Sequence, residues 1–118
     1  MKVSVDVWLR GTDFATTEAV DGMNGPESAW TDDDVRRLIE GMLRAMDRRK
    51  RPSEPDRDIS LRGLSWIVNP YEEGGVVVAI EITLGAAVAG PFDIDKAVLE
   101  AMITRVLAAS STTSTTVH

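Results

Sequence analysis

Residues 76–84, VVVAIEITL, place Val76, Val78, Ile80, Ile82 and Leu84 on one face of an extended chain and Val77, Ala79, Glu81 and Thr83 on the other. A run so rich in β-branched side chains favours a strand. A strand with one wholly apolar face must have that face covered by a second layer. The preceding PYEEGG (70–75) is turn chemistry, and ISLRGLSWIVN (59–69) before it alternates too. There Leu64, Trp66 and Val68 share one face, and Leu61, Ser65 and Ile67 the other. Two alternating runs joined by a short glycine-containing turn predict an antiparallel hairpin. KVSVDVWLR (2–10) supplies a further strand, with Val3, Val5, Val7 and Leu9 opposed to Ser4, Asp6, Trp8 and Arg10.

Two amphipathic helices are available to cover these strands. WTDDDVRRL (30–38) reads as a helix start. Thr31 is an N-cap, Asp32, Asp33 and Asp34 meet the positive end of the helix dipole, and Trp30 and Val35 have the spacing of a hydrophobic staple. Consecutive aspartates on a helix point about 100° apart, so they do not converge on one metal ion. Val35, Leu38, Ile39, Met42 and Met46 then repeat at helical spacing. FDIDKAVLEAMITRVLAA (92–109) predicts a second helix capped by Asp93, with Ile94, Val98, Leu99, Met102, Ile103 and Val106 in an apolar stripe.

The expected fold class is therefore α+β: a two-layer β-α-β-β-α arrangement with a three-stranded, antiparallel-rich sheet and both helices on one face. A right-handed crossover from the first strand to the second leaves room for the third between them, a ferredoxin-like topology lacking its last strand. The first strand is then a sheet edge. Residues 11–30 and GAAVAGP (85–91) are expected as connections. One domain over residues 1–108 is expected, followed by a Ser/Thr-rich mobile tail, 109–118.

Composition narrows the chemistry. There is no cysteine, and the only histidine is His118, so Cys/His zinc sites, thiol catalysis and a histidine shuttle have no residues to use. No phosphate-cradling glycine motif occurs. Asp56-Arg57-Asp58 and Asp93-Ile94-Asp95 are D-x-D pairs, more simply a solvated linker and a helix cap than magnesium ligands. No cofactor and no metal are expected, and the chain reads as non-catalytic. The net charge of −6 opposes general nucleic-acid affinity. The alternating start MKVSVDVWLR does not read as a signal peptide, no apolar run approaches a membrane span, and a cytoplasmic setting is expected.

Charge is segregated: residues 36–62 carry nine basic and five acidic side chains, between two acidic segments. Arg44, Arg48, Arg49 and Arg51 cluster at the end of the first helix as a candidate anion- or RNA-backbone-binding site, against the simpler role of complementing the helix dipole. The second signal is the outer sheet face. Trp8, Leu61, Ile67, Val77 and Ala79 fall on the side away from the helices, where polar residues are the rule, and contiguous apolar patches mark interfaces.

The leading expectation is a protein-interaction or assembly module, an adaptor, regulatory or scaffold subunit that self-associates through this face or the edge strand. The alternative is a small-ligand protein or small enzyme with a pocket beneath residues 11–30 at a subunit interface, using Asp13, Glu18 or Asp21 as acid or base.

Overall fold

The computed structural model describes residues 3–12, 14–20, 26–53, 61 and 63–116, with side chains through residue 109. Strands β1 (Val3–Leu9) and β2 (Thr16–Val20) precede helix α1 (Asp32–Lys50), and strands β3 (Ser65–Pro70), β4 (Val76–Ile82) and β5 (Gly85–Phe92) precede helix α2 (Lys96–Thr116). The sheet order is β2-β1-β5-β4-β3, antiparallel at every pairing. The α+β class holds, but the sheet has five strands where three are expected from the sequence.

The two additional strands replace the ferredoxin-like topology. Helix α1 follows β2, at one edge, and leads to β3, at the other, so the crossover spans the whole sheet. β1 is not an edge: β2 and β5 flank it. The segments expected as connections, within 11–30 and at 85–91, supply the missing strands. β5 is made of small residues because its neighbours come close. A Cβ at Gly85 would run into the Trp8 carbonyl oxygen, and Ala87 and Ala89 are fully buried beneath the helices. β2 is held where α1 presents Gly41, since a Cβ there would strike the Val20 side chain. A mid-helix glycine costs roughly 0.5–1 kcal/mol against alanine; here it admits the β2 valine.

One face of the sheet and the facing stripes of α1 and α2 form the core. Val5, Val7, Val78, Ile80, Val35, Leu38, Ile39, Met42, Met46, Leu99 and Ile103 are closed to solvent. α1 packs over β1, β2 and β5, while α2 lies along α1 and over β3. Val98, assigned by periodicity to the α2 stripe, is half exposed instead. α2 is capped not by Asp93 but by Asp95, whose carboxylate accepts from the Ala97 and Val98 amides at 3.1 and 3.2 Å. α2 extends into the Ser/Thr-rich 109–118 segment, whose side chains from residue 110 on lie outside the described residues.

The three aspartates at the start of α1 do three different jobs. Asp34 closes a capping box with Thr31: the Thr31 amide donates to its carboxylate at 2.9 Å, and the Asp34 amide donates to Thr31 Oγ1 at 3.3 Å. Asp33 pairs with Arg37 one turn on, at 3.0 Å. Asp32 accepts a two-pronged hydrogen bond from Arg105 of α2, both contacts at 2.8 Å, tying the two helices together at the surface.

The Arg105 hydrogen bond, helped by the charges of Arg105 and Arg36 and opposed by desolvation, holds the Asp32 carboxyl below its ordinary pKa. A carboxyl depressed in the folded state stabilises the protein above its unfolded pKa and loses that contribution as pH falls through the folded one. The pair is solvent-exposed, so the contribution is small. In Arg105→Gln, the NMR titration of Asp32 is expected to move up towards the ordinary carboxylate value. An unchanged titration would mean that the pair does not form in solution.

Candidate functional site

Because both helices cover one face of the sheet, the residues of opposite parity form its outer face. Strand register fixes their neighbours. Thr17, Asp6, Val88, Ala79 and Ile67 run across all five strands in one row; Trp8, Ala86, Glu81 and Ser65 form the adjacent row, and Asn69 and Val77 pair in a third. Trp8 is 39% exposed and Ile67 51%, whereas Val77, Ala79, Ala86 and Val88 between them are half-buried by their own neighbours. The surface is thus a floor of small apolar side chains on β5 and β4, with Trp8 rising from β1 and Ile67 from β3.

Of the five residues that sequence parity assigned to this face, Trp8, Ile67, Val77 and Ala79 lie on it. Leu61 does not: it precedes β3, where the alternation does not apply, and is only 8% exposed as part of the core. Ala86 and Val88 were missed, because their strand was missed. The segment 16–20, which could have folded over this face, joins the sheet edge instead.

The electrostatics of the sheet are one-sided. Its five strands contain no lysine or arginine and three acidic residues, Asp6, Glu18 and Glu81. Asp6 and Glu81 are on the outer face by register, and Asp6 accepts a hydrogen bond from Thr17 Oγ1 at 2.8 Å. Arg10, just past β1, donates from Nε to the Thr83 carbonyl at 2.9 Å. The β3–β4 turn adds Glu72 and Glu73, both exposed.

The basic end of α1 is less concentrated than its spacing implies. Arg44 is partly buried, and Arg51 lies beyond the last helical residue with its guanidinium on Asp47 at 2.7 Å. Arg48 and Arg49 are exposed. The helix ends before Arg51, so the face that Arg44, Arg48 and Arg51 would share on a longer helix is not continued to Arg51.

Two cavities bear on a small-ligand role. One beneath the start of the 11–30 segment, lined by Val7, Leu9, Thr12, Phe14, Thr16 and Arg49, measures about 40 Å³. That is room for a water or two, far below the ~300 Å³ at which pockets enclose organic ligands. Asp13 and Asp21, candidates for acid–base work there, lie outside the described residues, as does Asp56-Arg57-Asp58; Glu18 is half-buried on β2. The second, about 360 Å³, is an open cleft at the far end of β5 bordered by Glu27, Glu73 and Asp93. The Glu27 carboxylate there already accepts from the Asp93 amide at 3.0 Å. Among the described residues no three metal-ligating side chains converge, and no helix is long and apolar enough to cross a membrane. Comparison with protein-family models, with curated proteins and with solved structures gives no match.

Proposed function

We propose that this chain is a non-catalytic protein-interaction module, an adaptor, regulatory or assembly subunit of the cytoplasm, that docks through the outer face of its sheet. One observation carries the reading. An antiparallel sheet with helices on one side normally alternates apolar-in and polar-out. Here β5 and β4 place Ala86, Val88, Val77 and Ala79 outward between the exposed Trp8 and Ile67. Single exposed apolar residues are ordinary, whereas six on four adjacent strands make a patch of the kind that marks interfaces.

A photo-crosslinking amino acid placed at Trp8 or Ile67, and at Arg37 on the opposite layer as a control, tests this in the cells that make the protein. Adducts are expected from positions 8 and 67 and not from 37. An adduct of twice the chain's mass means self-association; any other discrete mass means a different partner. Trp8→Glu is expected to keep the circular dichroism spectrum and the melting behaviour of a folded chain while abolishing the adduct at position 67. Adducts unaffected by Trp8→Glu, or confined to position 37, would remove the assignment.

A further inference from the structure

From the charges and the size of this face we infer its occupant: a different protein that presents an apolar ridge flanked by lysine or arginine. The inference rests on the docking role proposed above. β1, β5, β4 and β3 together are four strand widths across, about 19 Å, and the strands run for roughly 20 Å, so the apolar face covers on the order of 400 Å². Two copies pressed face to face would bury about 800 Å² in total, short of the ~1,200 Å² of a stable specific interface.

The same arrangement would bring two Asp6 and two Glu81 carboxylates into one interface, with no lysine or arginine on any strand among the described residues to meet them and only Arg10, tied to the Thr83 carbonyl, at the margin. Desolvating like charges against each other opposes association. A contact of this size suits a transient association, and a basic partner removes the charge objection. Its cations would meet Asp6 at one side of the small-residue floor and Glu81 at the end beside Trp8, while its apolar ridge fills the floor between Trp8 and Ile67.

The test uses two synthetic 18-residue helical peptides with the same leucine stripe, one with lysine and one with glutamate on its flanks. Each is titrated into the isotope-labelled full chain at low and at high salt. The lysine peptide is expected to shift the β1, β4 and β5 amides around Asp6, Val88, Ala79 and Glu81, and to bind at least tenfold more weakly at high salt. The glutamate twin should leave these amides unmoved. Asp6→Asn/Glu81→Gln should weaken the lysine peptide at least tenfold, and Asp6→Lys/Glu81→Lys should transfer the preference to the glutamate peptide. Both positions are on the surface, and circular dichroism establishes that the variants are folded.

Equal response to both peptides, no response, or shifts that map to another surface would overturn the basic-partner inference. Failure of the docking reading itself looks different. A discrete oligomer in the absolute mass of the same samples, lost in Trp8→Glu, would keep the docking face and discard the basic partner. Absence of crosslinks at positions 8 and 67 would discard both.

Discussion

Trp30→Ala is expected to lower the stability of the domain by about 3–5 kcal/mol, the range for truncating a buried tryptophan, or roughly 10–20 °C in melting temperature for a chain of this size. Trp30 is 6% exposed, and it joins the segment entering α1 to the end of β5, its ring centroid 5.0 Å from that of Phe92 at a tilt of 60°. It also stands one residue before the capping threonine and packs in the same core as Val35, as a hydrophobic staple requires. Truncation therefore opens a cavity and frees the angle at which α1 leaves the sheet. Trp30→Phe is expected to be much milder. Among the described residues the Trp30 indole Nε1 has no hydrogen-bond partner, and burying an unpaired donor costs about 1–3 kcal/mol. Phenylalanine removes that donor and keeps a ring against Phe92. Urea and thermal unfolding of the two variants measure the difference; a loss below about 1 kcal/mol for Trp30→Ala would place the indole outside the core, since surface substitutions fall in that range.

The start of α1 was legible to the residue because its signals are local. Thr31, Asp34, Trp30 and Val35 act within one helical turn, and each performs in the fold the role its spacing announces. β1, β3 and β4 were legible because alternation is also local. β5 was not, since alanine and glycine carry little β-propensity, and what makes GAAVAGP a strand is the space between Leu9, Ile82 and the helices above. β2 was hidden for a related reason. TTEAV has only Val20 buried, and the clue to its place was a glycine 21 positions away, Gly41, whose missing side chain has no local rationale. These two omissions account for the wrong topology, because without them α1 connects β1 to β3 and the sheet has β1 at its edge.

The outer face shows the same division. Trp8, Ile67, Val77 and Ala79 followed from parity within strands that could be read. Leu61 failed because parity was extended four residues beyond the point where β3 begins. The arginine spacing meets the same kind of boundary: Arg51 is the C-cap, with backbone angles outside the helical region, and turns to Asp47 instead of continuing the face of Arg44 and Arg48. Periodicity assigns side chains correctly only as far as the element extends, and the ends depend on contacts that the local sequence does not contain.

β5 offers the sharpest separation of folding from docking, because adjacent residues of one strand serve the two. Ala87 is fully buried between Val7 and Ile80 on the helix side, and Val88 lies between Asp6 and Ala79 on the outer side. Ala87→Leu must fit three more carbons beneath α1 and is expected to cost about 3 kcal/mol, the upper part of the usual overpacking range. Val88→Lys meets solvent instead. Its expected cost is within about 1 kcal/mol, the span of strand propensities, but it sets a cation at the centre of the apolar floor. Against a partner with cations of its own, that single change combines lost apolar contact with like-charge repulsion, and a fall in affinity of a hundredfold or more is expected, equivalent to about 2.7 kcal/mol. Melting curves for both variants, with crosslinking from position 8 for Val88→Lys, give the two readouts independently. A folded Val88→Lys protein that still forms its position-8 adduct in full would show that the partner does not contact β5. Unfolding by Val88→Lys would show that this face belongs to the core. Stability lost at Ala87 and recognition lost at Val88 is the pattern demanded by a sheet with a helical layer on one side and a partner on the other.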